Sequence, residues 1–152
     1  MRYWLEYIPF IITATIVKAL PRSTAFTLGG WLGSLGRFVQ PRRVRIATDN
    51  LQHAYPEMSA EEISLTIKKM FSHLGKSFID MLRLDQYNSQ QDLEKYYQVA
   101  GQENINKALE LNRGCIILTG HVGFWEAGNF FIPKLGFRFG VVAKPIHNPL
   151  VD

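Results

Sequence analysis

The chain has 152 residues, of which 47% are apolar, 20% charged and 12% aromatic. That balance excludes a disordered chain, and a chain of this length can bury about two-thirds of its extended surface in one core. The formal charge of +4 is unevenly placed, with Arg2, Lys18, Arg22, Arg37, Arg42, Arg43 and Arg45 opposed in that stretch by Glu6 alone. The residues between these cations are Ile, Leu, Phe, Trp and Gly, which suit an anionic lipid surface and argue against a nucleic-acid partner.

Residues 1–22 read as a membrane anchor helix. Tyr3, Trp4 and Tyr7 stand near one end of an apolar stretch from Trp4 to Leu20, and Lys18 and Arg22 stand at the other, the pattern of an interfacial anchor. Its core, Ile8 to Val17, is shorter than the roughly 20 residues a perpendicular span needs. A helix lying in or dipping into one leaflet is therefore expected in preference to a full crossing. Lys18 and Pro21 occupy the place where a signal peptide would carry a small-residue cleavage site, so a cleaved signal peptide fits worse than an anchor.

Residues 23–90 read as a helical region. From Ala25 to Val39, Phe26, Leu28, Trp31, Leu32, Leu35 and Phe38 recur at helical spacing, interrupted by Gly29, Gly30, Gly33 and Gly36. Such glycines admit a closely approaching helix, and the same pattern also fits a helix packed on the domain core. A short helix from Val44 to Tyr55 is stopped by Pro56. Ser59 followed by Glu62 predicts a capping box, and Ile63, Ile67, Met70, Phe71, Leu74, Phe78, Met81 and Leu82 then form a stripe to about Leu84. His73, near this stripe, reads as a packing residue.

Residues 91–152 read as the first, incomplete part of an α/β catalytic domain. After a polar connection at Asn88 to Asp92, strands are expected at Tyr96 to Ala100, Cys115 to Thr119 and Phe139 to Ala143, with helices at Glu103 to Leu111 and from about Gly123 to Leu135. The order is βαβαβ, which predicts parallel strands. Three strands with no helix covering the last make the sheet look truncated, because open sheets of this kind have both faces covered. Cys115 is the lone cysteine, so no intrachain disulfide forms and a reducing compartment is implied. In the run Cys-Ile-Ile-Leu it reads as a buried core residue rather than a nucleophile.

The chemistry-bearing segment is Thr119-Gly120-His121-Val122-Gly123-Phe124-Trp125-Glu126. It sets a histidine just past a strand and a carboxylate in the first turn of the next helix, the edge at which such sheets bind ligands. Gly120 and Gly123 relieve crowding around the ring. A carboxylate that fixes the imidazole tautomer makes it a general base able to deprotonate an attacking hydroxyl. A thioester is electrophilic enough to be attacked directly, and no Gly-x-Ser-x-Gly elbow occurs. Gly75-Lys76-Ser77 lacks the upstream glycine of a P-loop, and His53, His73, His121 and His147 have no zinc-ligand spacing, so neither nucleotide nor metal is expected.

In that context His121-x-x-x-x-Glu126 resembles the signature of the bacterial lipid A biosynthesis acyltransferases, the lauroyl and myristoyl transferases within the wider glycerolipid acyltransferase group. The likeness extends over nearly the whole chain. It takes in Arg45-Ile46-Ala47-Thr48-Asp49-Asn50-Leu51, Ala54-Tyr55-Pro56, Gly101-Gln102-Glu103-Asn104, and Pro145 with Asn148-Pro149.

The resemblance implies a glycerolipid acyltransferase-like sheet behind N-terminal membrane-associated helices. It also implies acyl transfer from a thioester to a hydroxyl of a lipid A precursor, in lipopolysaccharide biosynthesis at the cytoplasmic face of the inner membrane. His121 is then the base and Glu126 its partner, with Gly123, Phe124, Trp125, Lys144 and Asn148 at the substrate. The implied partners are the bilayer, a lipid A-type glycolipid acceptor and acyl carrier protein or coenzyme A as the donor's carrier, with no further cofactor. Phe124 and Lys144 depart from the Asn and Arg that the family carries there, which bears on donor and acceptor contacts. Two other readings stay open: a different glycolipid or glycerolipid acceptor, and a non-catalytic membrane-associated remnant.

Overall fold

The computed structural model describes residues 2–87, 90–143 and 148–150. In chain order these form α1 (Arg2–Ala19), α2 (Arg22–Val39), α3 (Pro41–Ala54), α4 (Ala60–Leu82), a 3-10 turn (Leu84–Gln86), α5 (Gln90–Tyr96), α6 (Gln102–Glu110) and α7 (Glu126–Lys134). Local chemistry sets the boundaries. Pro41 opens α3 in the first turn, where its missing N–H costs nothing. The Ser59 hydroxyl accepts from the Glu62 amide while the Glu62 carboxylate accepts from the Ser59 amide at 2.8 Å, a reciprocal box that starts α4.

The centre of the fold is the antiparallel crossing of α2 on α4. Gly29 lies against Gly75 and Ile79, Gly33 against Phe71 and Gly75, and Gly36 faces Phe71. A Cβ at Gly33 would strike the Phe71 carbonyl oxygen, and one at Gly75 would strike that of Gly29. The glycines thus admit a neighbouring helix, and that helix is α4.

Two small cores flank the crossing. In one, Ala14 and Val17 of α1 pack with Ala25, Ile79 and Leu82. In the other, Ile63, Ile67 and Phe71 of α4 pack under Val44, Ala47 and Leu51 of α3.

The α1–α2 corner is pinned by the end of α4. Arg83 donates through Nη1 to the carbonyls of Val17 and Leu20, and Gln86 donates to that of Lys18 at 3.1 Å. Two of the carbonyls left open at the end of α1, those of Val17 and Lys18, are thereby satisfied. Arg22 donates to the Tyr87 hydroxyl at 3.1 Å and reaches Asp80 at 3.4 Å, and Tyr87 donates to Asp80 at 2.9 Å. Burial raises the Tyr87 pKa, helped by the neighbouring Asp80 and opposed by Arg22.

The expected α/β architecture is corrected: the described residues contain no strand and no sheet. Tyr96 to Ala100, Cys115 to Thr119 and Phe139 to Ala143 were all expected as strands; the first begins in the last residue of α5, and the rest carry no regular structure. A strand exists only through hydrogen bonds to a neighbour, and these segments find no ladder partner among the described residues. Ile116, Leu118 and Val142 are almost wholly exposed, and Cys115 is exposed rather than buried.

No helix among the described residues is long and apolar enough to cross a membrane, so the N-terminal helices do not supply a membrane-spanning segment. Arg2, Glu6 and Lys18 lie within α1, and its Ala14–Val17 face is committed to protein.

Candidate functional site

A groove of about 1190 Å³ runs along the α2–α4 seam. Its floor is made where glycines hold the two helices close, at Gly29, Gly33, Gly36 and Gly75. Leu28 and Leu32 of α2, Leu74 and Phe78 of α4, and Ile16 of α1 form apolar walls. At one end the α1–α2 corner closes it with Val17, Leu20 and Ala25. At the other stand Gln40, Arg43 and Asn50.

His121 and Trp125 also line this groove. The segment carrying them lies against α4, because a Cβ on Gly123 would come 3.4 Å from Nε2 of His73. Gly123 has a φ of 61°, left-handed backbone that a side chain would strain, and it directs the chain from His121 into α7. Val122 donates its amide to the Gly120 carbonyl at 2.9 Å, tightening the turn under the histidine. The His121 ring packs on the Trp125 ring with centroids 4.6 Å apart and planes inclined by 42°. His121 is exposed, so solvent and ligand can reach its nitrogens.

Glu126 opens α7, where a carboxylate is favoured by the helix dipole. It is half-buried, and no hydrogen bond joins it to His121 among the described residues. Gly123 and Phe124 are half-buried in the same turn but do not form the groove wall.

Asn148 is elsewhere. It is 5% exposed, and its side-chain amide donates to the Tyr3 carbonyl at 3.0 Å and to the Glu6 carboxylate at 3.2 Å, which ties the C-terminal segment to α1. Lys144 lies outside the described residues.

The groove residues from α1, α2, α3 and α4 are functional candidates that sequence reasoning did not find. Arg43, Ile46, Ala47 and Asn50 share one face of α3 at helical spacing. The visible signal was the run Gly29, Gly33, Gly36, which marked a close helix approach without naming Gly75 as its target. No group of His, Cys, Asp and Glu able to hold a metal occurs among the described residues.

The family described as bacterial lipid A biosynthesis acyltransferase matches residues 1–152. The chain is 28% identical over 158 aligned residues to the lipid A biosynthesis lauroyltransferase of Escherichia coli K12, covering 99% of this chain and 48% of that protein. It is 29% identical to the lipid A biosynthesis palmitoleoyltransferase of the same organism, covering 84% and 41%. It is 24% identical to a lipid A biosynthesis acyltransferase of Haemophilus influenzae, covering 98% and 45%. The chain thus spans about half the length of the curated relatives it matches. No solved structure matches it.

Proposed function

Because the chain belongs to the bacterial lipid A biosynthesis acyltransferases, we propose that it contributes the acyl-binding groove and general base of an O-acyltransferase. In this reading a fatty acyl group passes from a thioester, carried by acyl carrier protein or coenzyme A, to a hydroxyl of a lipid A precursor. The observation that carries the proposal is His121 in the wall of an apolar groove that no acidic side chain enters among the described residues. An alkyl chain laid there gains about 0.8 kcal/mol for each methylene removed from water. His121 then stands beside the thioester carbon.

The proposed chemistry is direct. An imidazole nitrogen of His121 takes the proton of the acceptor hydroxyl as its oxygen attacks the thioester carbonyl, and the thiolate leaves as the carbonyl re-forms. Glu126, five residues on, orients the ring and offsets its positive charge. The hydrogen bond this requires forms with substrate present, since catalytic contacts commonly tighten only in the loaded site. The Trp125 ring packs on the imidazole and helps hold it in place.

The setting proposed for this chemistry is the cytoplasmic face of the inner membrane. The acceptor is held in a bilayer, and Trp4, Leu5, Ile8 and Ile12 of α1 with Trp31 and Phe38 of α2 remain exposed outside the groove. Such residues suit contact with a bilayer surface without crossing it.

The test is incubation of the protein with a fatty acyl thioester and a phosphorylated, acylated glucosamine disaccharide, followed by mass spectrometry. A mass gain of one acyl ester on the disaccharide is expected. A gain on glycerolipids alone would move the acceptor to another class, and no gain on either from folded protein would overturn the reading.

A further inference from the structure

The two ends of the groove differ in chemistry. Toward the α1–α2 corner the lining is Val17, Leu20, Ala25 and Ile79, whereas beyond Met70 and Phe71 the α3 face adds the polar side chains of Gln40, Arg43 and Asn50 beside Ile46 and Ala47. The segment bearing His121 sits between them, because Gly123 abuts His73, which lies on α4 between Phe71 and Phe78. A molecule lying along the groove with its reactive carbon at His121 therefore has one apolar arm and one polar arm.

The polar arm is cationic and its charge is unspent. Arg43 is exposed and makes no ion pair or hydrogen bond through its guanidinium among the described residues. Arg42 and Arg45 flank it, and the first turn of α3 holds no acidic residue. Cations there are opposed by the helix macrodipole. Local folding does not account for this arrangement.

Resting on the acyl-transfer reading above, we infer that Arg43, with Gln40 and Asn50, binds the phosphate of the carrier arm that delivers the fatty acyl thioester. The tail lies toward Leu20 and Ala25, the thioester at His121, and the phosphate at Arg43. A guanidinium matches two phosphate oxygens at once, and an amide on the same helix face supplies a further donor. This is a positioning role: holding both ends of the donor fixes its reactive carbon against the imidazole.

The experiment measures binding of acyl-phosphopantetheine and acyl-pantetheine to the 152-residue chain by titration calorimetry, with Arg43→Gln and with Lys69→Gln as a charge control on the exposed side of α4. The wild type should bind the phosphorylated ligand roughly tenfold more tightly, and Arg43→Gln should erase that preference while leaving acyl-pantetheine binding intact. Lys69→Gln should keep it. Equal wild-type affinities, a preference that survives Arg43→Gln, a loss affecting both ligands equally, or the same loss in Lys69→Gln would each overturn the inference while leaving the acyl groove standing. Failure of both ligands to bind would remove the groove's acyl role and the inference with it. If a phosphorylated glycolipid competes at Arg43 and phosphopantetheine does not, the assignment to the donor is wrong.

Discussion

His121→Ala is expected to lower the turnover of acyl transfer about 100- to 10,000-fold, the usual contribution of a positioned general base. His121 is exposed and, among the described residues, its ring packs on that of Trp125 alone, so its removal should change stability by no more than about 0.5 kcal/mol. The loss should therefore appear in kinetics with the unfolding midpoint unmoved. Glu126→Gln should reduce turnover by a smaller factor, because it removes the orienting charge and keeps the imidazole. Steady-state rates with a thioester donor, read beside thermal melts, check both. Near-normal turnover in His121→Ala would remove the base from the mechanism.

Gly75→Leu is expected to give the largest loss of stability. Even a Cβ at this position meets the Gly29 carbonyl oxygen and its carbon, with the Gly33 Cα at 2.9 Å. These are backbone atoms of the facing helix, so no rotamer change relieves the clash. The α2–α4 crossing must open, which costs about 3 kcal/mol and lowers the Tm by roughly 10 °C. Since the same glycines form the groove floor, acyl binding should fall with it. Gly128→Ala serves as the contrast: a Cβ there meets nothing within 4 Å, and α7 should gain a few tenths of a kcal/mol. Differential scanning calorimetry of the two variants separates a seam glycine from a merely helical one.

The helices were legible because their signals are local. Ser59 and Glu62 announce the start of α4 by side-chain reach alone, and the Ile63–Ile67–Phe71 stripe falls on its buried face. The sheet was misread because the evidence for strands was compositional. The apolar run Cys115 to Leu118 states a preference for burial, but burial as a strand needs hydrogen-bonded neighbours that the described residues do not supply.

The candidate site was legible in part for the same reason. His121, Gly123, Trp125 and Glu126 stand out together as a short string. The wall that His121 shares with Leu28, Leu32 and Arg43 joins residues about 80 to 90 positions apart, and no periodicity links them. Asn148 illustrates the converse. A polar residue read as a substrate contact is spent on Tyr3 and Glu6, a pairing across 142 and 145 positions that only the folded chain reveals.

The most direct test asks where the alkyl chain lies. A non-hydrolysable fatty acyl thioester analogue bearing a terminal diazirine, photolysed on the folded protein and mapped by peptide mass spectrometry, should label α1, α2 and α4 around Ile16, Leu20, Leu28 and Phe78. Labelling confined to the exposed segments around Ile116 and Val142, or spread evenly over the surface, would contradict the account.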